Sequence, residues 1–197
     1  MKTTLAAIRA NGPCAEGWAL LLKNLKAEPS DDREVSLLEI LDSNGPWDCV
    51  WAFRAVDGFD REKRLTGCYM ARCVLPLYEK RYPDDKRPRN AVETAERFAK
   101  GNATGKELAA AADAAWDAAG AAAWGTARDA AQAAARAAAR AVTGAATRAV
   151  AWAAAYAATA DRASTYATAR DALETYLRAL LTGAPLPEPY EFWKVQK

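Results

Sequence analysis

Residues 107–142, which read ELAAAADAAWDAAGAAAWGTARDAAQAAARAAARAV, decide the fold class of this chain. About half of the residues in the wider segment 103–172 are alanine, which has the highest helix propensity. One unbroken helix from Gly101 to Gly183 would be about 120 Å long, at a rise of about 1.5 Å per residue. We therefore predict an antiparallel helical bundle, with breaks near residues 125–126, 144–147 and 161–164.

Aromatic side chains are expected to supply most of the bulky packing in this bundle, because alanine faces bury little apolar area. These residues are Trp116, Trp124, Trp152, Tyr156, Tyr166 and Tyr176. Trp116 and Trp124 lie eight residues apart on one helical face, with Gly120 midway between them. We interpret these three residues as structural packing, with a groove for a partner helix at Gly120 as the alternative.

Four arginines recur at spacings of four or eight residues and form one polar stripe on the alanine-rich helices. They are Arg128, Arg136, Arg140 and Arg148. One interpretation is a basic face that binds phosphate groups or an acidic protein surface. The other is the solvated side of an amphipathic helix, which could pair with the acidic residues Glu107, Asp113 and Asp117. The sequence leaves both interpretations open.

An internal repeat organises the N-terminal part of the chain. Asn11-Gly12-Pro13 precedes Trp18, and Asn44-Gly45-Pro46 precedes Trp51, with seven residues from Asn to Trp in both copies. Glycine suits the left-handed residue that ends one helix, and proline suits the first turn of the next. We therefore predict an all-α fold in which two related helix–turn–helix hairpins pack with the alanine-rich bundle.

Capping residues, charged clusters and composition predict where helices, loops and domains begin and end. Ser30 or Asp31 is expected to cap the helix that carries Val35. The basic cluster at residues 80–89 is predicted to be a solvated loop.

Composition divides the chain into a hairpin region, the alanine-rich bundle and a proline-rich aromatic tail, and one continuous globular unit is the alternative. The three regions span residues 1–101, 102–183 and 184–197.

The composition argues against an enzyme. The sequence contains no histidine, which removes the usual general base at neutral pH and histidine ligation of metals. It has no phosphate-binding loop, dinucleotide fingerprint or nucleophile elbow, and its four cysteines lack CxxC spacing. We predict no catalytic residues, no cofactor and no metal site, although carboxylate or tyrosine chemistry stays open. The cysteines, expected to be reduced, are Cys14, Cys49, Cys68 and Cys73.

Charge and hydropathy limit which partners and which cellular compartment are expected. The formal net charge of +2 creates no overall field that demands nucleic acid or a membrane as partner. No apolar run is long enough for a signal peptide or a membrane span. We therefore expect a cytoplasmic protein with no membrane partner.

One segment of the sequence resembles a known family. It runs from Trp51-Ala52-Phe53 through Val74-Leu75-Pro76-Leu77-Tyr78-Glu79 to Pro83-Asp84-Asp85-Lys86-Arg87-Pro88-Arg89, and the alanine tract follows. This pattern resembles alanine-rich helical immunity proteins of bacteria and their phages, over about residues 47–160. Its most specific element is Pro-Asp-Asp-x-Arg-Pro-Arg. The resemblance implies inhibition of a cognate toxin by direct binding, and it brings no catalytic residues.

We therefore predict a stoichiometric inhibitor of a protein target in a bacterial or phage-infected cell. The target is either a toxin or a host defence component that a phage protein would block. A nucleic-acid-binding accessory protein that uses the arginine stripe is the alternative, and homo-oligomerisation stays open. Tryptophan, tyrosine and arginine dominate the binding energy of protein interfaces. Partner-binding residues are expected among Trp47, Tyr82, Trp124, Arg128, Arg136, Arg140, Arg148, Phe192 and Trp193.

Overall fold

The computed structural model describes residues 1–122 and 162–189, and it confirms the all-α fold class. A short two-stranded sheet, which the sequence analysis did not predict, accompanies the helices. The elements are β1 Lys2–Thr4, α1 Leu5–Ala10, α2 Ala15–Leu25, β2 Glu34–Ser36, α3 Leu37–Asn44, α4 Pro46–Ala52, a 3-10 turn Phe53–Ala55, α5 Asp60–Arg81, α6 Arg87–Ala99, α7 Gly105–Ala122 and α8 Arg162–Thr182.

The chain forms two compact units. The first comprises Met1–Phe59 and Leu173–Pro187, and the second comprises Asp60–Ala172 and Glu188–Lys197. The compositional boundary at Gly101 lies inside the second unit, between α6 and α7. None of the helices in the described ranges is long and apolar enough to cross a membrane.

The internal repeat of the first unit is longer than its Asn-Gly-Pro motif. Each copy runs strand, helix, turn, helix, and the two strands pair antiparallel with Thr3 opposite Val35. The Leu5 N–H donates to the Arg33 carbonyl over 3.1 Å, and the Leu37 N–H donates to the Met1 carbonyl over 3.1 Å. These bonds join equivalent positions of the two copies, so a local pseudo-twofold axis passes between the strands.

The expected helix cap at Ser30 or Asp31 is wrong, because Ser36 caps α3. Residues 34–36 form β2, so Val35 is 0 % exposed in the sheet instead of lying on a helix face. The Glu39 N–H donates to Ser36 Oγ over 3.1 Å, and Glu39 Oε2 accepts from the Ser36 N–H over 2.8 Å. This reciprocal capping box satisfies two backbone donors at the start of α3. Asp31 instead accepts from the Glu28 N–H within the preceding loop.

The substitution Ser36→Ala is expected to lower the free energy of unfolding by about 1 kcal/mol, because the Glu39 N–H loses its acceptor. Urea denaturation followed by circular dichroism measures the change. Ser30→Ala, in the exposed loop, is the matched control and should change stability by less than about 0.5 kcal/mol. Equal losses in the two variants would contradict the assignment of Ser36 as the cap.

The second Asn-Gly-Pro turn also connects neighbouring helices of the first unit. Gly12 and Gly45 both adopt positive φ, as predicted, at 66° and 83°. Asn44 Nδ2 donates to the Gly17 carbonyl over 2.8 Å and to Asp48 Oδ2 over 2.9 Å, which ties the end of α3 to α2 and α4. A Cβ at position 17 would lie 2.8 Å from Asp48 Oδ2, so a larger residue there would displace the Asp48 carboxylate that Asn44 contacts.

The core of the first unit includes the last part of α8. Leu173, Tyr176 and Leu177 are buried, and they belong to the same compact unit as the N-terminal repeat. The Arg178 guanidinium lies 2.7 Å from Asp42 Oδ1 on α3 and 2.9 Å from Glu174 Oε1 within α8. The burial of Tyr176 agrees with its expected packing role. The other buried apolar residues of this unit include Leu5, Ile8, Leu37, Ile40, Leu41, Val50 and Phe53.

In the second unit, α6 packs against both α5 and α7. Helix α5 is continuous through Pro76, and Pro88 lies in the first turn of α6, as predicted. Gly101, at φ 77°, follows the end of α6. The predicted breaks near residues 125–126 and 144–147 lie outside the described residues. The buried residues that line these helices include Cys68, Ala71, Leu75, Ala91, Val92, Ala95, Leu108, Ala112, Ala115 and Ala118.

Candidate partner-binding surface

Two bidentate ion pairs fasten α5 to α6. The Arg72 guanidinium donates to both carboxylate oxygens of Glu96, over 2.5 and 2.7 Å. The Arg89 guanidinium donates to both carboxylate oxygens of Glu79, over 2.5 and 2.6 Å. Paired, parallel hydrogen bonds of this kind fix orientation as well as distance. The two ion pairs therefore connect α5 to α6, and α6 in turn packs against α7.

Asp85 is the centre of a third network, in the turn between α5 and α6. Its carboxylate accepts from the Tyr78 hydroxyl over 2.5 Å, and from Arg87 Nε and Nη2 over 2.9 and 2.6 Å. The Arg87 guanidinium holds the pKa of Asp85 well below its usual range, with the Tyr78 hydroxyl adding to the effect. Burial, together with the bond to Asp85, raises the pKa of Tyr78. Both groups are therefore held in fixed protonation states at neutral pH.

The expectation that residues 80–89 form only a solvated loop is wrong for the charged residues of the Pro-Asp-Asp-x-Arg-Pro-Arg element. Asp85, Arg87 and Arg89 take part in the ion pairs that close the α5–α6 turn. Pro83, Asp84 and Lys86 are exposed. The most specific motif of the sequence therefore has a structural role, which spacing alone could not reveal because Tyr78 and Glu79 of α5 supply partners for Asp85 and Arg89.

Helix α7 is fixed at its start and along one side. The Glu107 N–H donates to Thr104 Oγ1 over 3.2 Å, and Glu107 Oε2 accepts from the Thr104 N–H over 2.7 Å, which forms a second capping box. Arg97 Nη2, from α6, lies 3.5 Å from Glu107 Oε1. Leu108, Ala112, Ala115 and Ala118 form the buried side of the helix. Small side chains of this kind allow a close approach of helix axes.

The opposite side of α7 is exposed, and we define it as the α7 surface. Its residues are Ala109, Ala110, Asp113, Trp116 and Asp117. Trp116 is 40 % exposed, so it lies at the edge of the helix packing and not in the buried core. The buried stripe runs through positions 108, 112, 115 and 118, and position 116 falls at its outer edge. Helical periodicity identifies the residues that share a face of α7 with Trp116. Only tertiary packing decides which face of the helix is buried.

The residues predicted to bind a partner are distributed over the chain. Trp47 lies half-buried in α4 of the first unit. Tyr82 lies half-buried after α5 in the second unit, with its ring centroid 5.0 Å from that of Tyr78. The remaining predicted residues lie outside the described ranges, and their roles stay predictions. They are Trp124, Arg128, Arg136, Arg140, Arg148, Phe192 and Trp193.

The four cysteines form no disulfide, and Cys49, Cys68 and Cys73 are buried. Burial raises the pKa of Cys49 to about 12, and burial followed by the charge of Glu96 raises the pKa of Cys68 to about 12. A thiol must ionise to act as a nucleophile or a metal ligand, so these two are inert at neutral pH. Across residues 1–122 and 162–189, no cluster of three or more Cys, Asp or Glu residues could hold a metal ion.

The fold and this surface define an all-α protein in which packed helices carry an exposed aromatic and acidic helix face. The family described as "Imm-5 like putative immunity protein" matches residues 60–175. The match covers more than half of the chain, and the chain belongs to this family. It confirms the resemblance seen in the sequence, and it begins at Asp60, where α5 and the second unit also begin. No curated protein and no solved structure matches the chain.

Membership of this family indicates an inhibitor-type role and a protein partner in general terms. It also favours a non-enzymatic protein.

Proposed function

We propose that this protein is a stoichiometric, non-enzymatic inhibitor that binds a protein toxin directly and prevents its action. The observation that carries the proposal is the position of Trp116, which is exposed on α7 inside the segment that matches the immunity family. Large exposed aromatic side chains on a rigid element are typical anchors of protein interfaces. The packing of α7 against α6 and the contact of Arg97 with Glu107 hold this element in place, which lowers the entropic cost of binding.

The chemistry of the second unit supports binding over catalysis. Tyr78 and Asp85 are engaged with each other and with Arg87, and Arg72 and Arg89 are held in bidentate pairs. These groups therefore serve the connection between helices. The absence of a disulfide among Cys14, Cys49, Cys68 and Cys73 suits a reducing compartment. The inhibitor would accordingly act in the cytoplasm of the bacterial or phage-infected cell.

Capture followed by co-expression tests the proposal. The tagged full-length chain is incubated with lysate of its source cell, washed at low and at high salt, and the retained protein is identified by mass spectrometry. We expect one protein that survives the high-salt wash, arrests bacterial growth when expressed alone, and loses this effect when the chain is co-expressed. Nucleic acid retained only at low salt would contradict the proposal and favour the nucleic-acid-binding alternative. A retained protein that is harmless on its own would contradict the toxin assignment.

A further inference from the structure

We infer that the proline-rich segment after α8, residues 184–189, is a docking peptide that an aromatic-lined groove of a partner protein recognises. The segment lies outside residues 60–175, which match the immunity family. The inference goes beyond the proposed function, because the groove can belong to the inhibited toxin or to another protein. It names the segment that binds, the side chains it presents and the chemistry of the groove.

The backbone conformation of this segment is fixed by its prolines. Residues 184–189 read APLPEP, so every residue is either a proline or the residue before one. A proline ring holds φ near about −65°, and the residue before a proline is held in the extended region. The chain is therefore kept close to a polyproline II helix. In agreement, the structure has neither α-helix nor strand at these positions.

The end of α8 fixes where the segment starts. Gly183, at φ 75°, follows the helix, and the Ala184 N–H donates to the Ala179 carbonyl over 3.0 Å. Within the described part of the chain, Leu186 and Glu188 form no hydrogen bond to another backbone group. Their carbonyl oxygens are therefore open to hydrogen-bond donors of a partner.

The exposed side chains of the segment lie on two adjacent edges. Pro185, Leu186 and Glu188 are exposed, with Leu186 at 47 %. A polyproline II helix has about three residues per turn, so Pro185 and Glu188 share one edge and Leu186 lies on the next. Pro187, on the third edge, is half-buried. The segment thus presents a proline ring, an apolar side chain and a carboxylate to solvent.

An aromatic-lined groove is the surface that fits these two edges. Tryptophan and tyrosine rings offer flat apolar faces for the proline ring and for Leu186, and their N–H and O–H groups donate to open carbonyls. Because the segment is already extended, binding costs little conformational entropy.

The carboxylate of Glu188 adds a charge requirement. Glu188 takes part in none of the ion pairs formed within residues 1–122 and 162–189. A basic residue beside the groove would complement this charge and fix the direction in which the peptide lies. The partner surface is therefore aromatic at its centre and basic at one end.

Site-specific photo-crosslinking on the full-length chain tests the inference. The photoreactive p-benzoylphenylalanine is introduced at Ala184, which leaves the presented side chains intact, and the chain is irradiated in lysate of its source cell. We expect one protein adduct, with the crosslinked site of the partner beside a tryptophan or tyrosine. A synthetic peptide of residues 182–189 should suppress this adduct, and the same peptide with alanine at its three prolines should not. The matched control carries the probe at Ala19, exposed on α2, and should not form the adduct.

Variants of the probe-carrying chain test which features of the segment are required. Leu186→Ala should lower the adduct yield at least about tenfold through lost apolar contact, and Pro185→Ala/Pro187→Ala should do so through lost preorganisation. Glu188→Lys should also lower the yield, because it places a cation beside the basic end of the groove. Urea denaturation shows that each variant remains folded.

Three results would overturn the inference. They are the absence of an adduct from position 184, equal competition by the two peptides, and an adduct yield that Leu186→Ala and the proline variant leave unchanged. The segment would then be only a stiff connection after α8.

The outcomes separate this inference from the inhibitor role. If Leu186→Ala loses both the adduct and neutralisation of the captured toxin, the groove belongs to the toxin. If it loses the adduct and still neutralises the toxin, the groove belongs to another protein, and both results support the docking peptide. Failure of the wild-type chain to neutralise any captured protein would overturn the inhibitor role and leave the crosslinking result unaffected.

Discussion

The substitution Leu177→Ala is expected to lower the free energy of unfolding by about 3 kcal/mol, the range found for leucine-to-alanine changes in well-packed cores. Leu177 is 0 % exposed and lies in the part of α8 that belongs to the first unit, with Leu173 and Tyr176 beside it in sequence and also buried. Truncation removes apolar burial and leaves a cavity that a close-packed interior fills only in part.

Urea denaturation monitored by circular dichroism gives the measurement, with the slope of the transition compared between variants. Leu186→Ala is the matched control, because Leu186 is 47 % exposed in the extended segment that follows α8. The control should change stability by less than about 0.5 kcal/mol. If the two variants lose the same stability, the last part of α8 does not complete the core of the first unit.

The second large effect is expected for Asp85→Asn, which should lower the free energy of unfolding by about 2 kcal/mol at neutral pH. The change removes a charged acceptor from the Tyr78 hydroxyl, the Arg87 guanidinium and the Arg87 N–H. The Asp85 side chain is 21 % exposed, so solvent screens these interactions only in part. The loss arises at the turn that fixes α5 to α6.

The pH dependence of this effect follows from the depressed pKa of Asp85. A carboxyl whose pKa is lowered on folding stabilises the protein at pH values above its unfolded pKa, here the ordinary value of 3.8. This contribution is lost as pH falls from the unfolded pKa through the folded one. The stability difference between wild type and Asp85→Asn should therefore be constant above about pH 5 and shrink below about pH 4.

Denaturation curves recorded from neutral pH to about pH 3 test this expectation. Asp84→Asn is the control, because Asp84 is the exposed neighbour and takes part in none of the ion pairs within the described residues. It should have little effect at any pH. A difference for Asp85→Asn that persists unchanged at acid pH would show that the carboxylate charge does not stabilise the turn.

Local sequence signals predicted those features of the fold that depend on neighbours along the chain. Alanine propensity predicted helix, Gly12 and Gly45 predicted the left-handed ends of helices, and Pro88 predicted the first turn of α6. The Asn-Gly-Pro repeat predicted two related halves, and the structure extends each half to a strand, a capped helix, a turn and a second helix. The resemblance around Pro-Asp-Asp-x-Arg-Pro-Arg predicted the family.

The candidate site was predicted only in part. The sequence analysis considered Asp113 and Asp117 only as acidic residues that could pair with the arginine stripe, and the structure shows both exposed. It assigned Trp116 to the packed interior, because a large aromatic residue among alanines usually supplies core volume. The buried side of α7 instead runs through positions 108, 112, 115 and 118. The indole of Trp116 therefore lies at the edge of the exposed side of the helix.

By itself, then, the sequence determined helix formation, the repeat and the family, because each depends on residues close together in the chain. Tertiary structure alone decided the pairing of Thr3 with Val35 and the bidentate pairs of Arg72 and Arg89. It also decided the exposure of Trp116. These features join elements that are distant in sequence, and their geometry is set by which faces pack together, a choice that many residues make jointly and no single motif encodes.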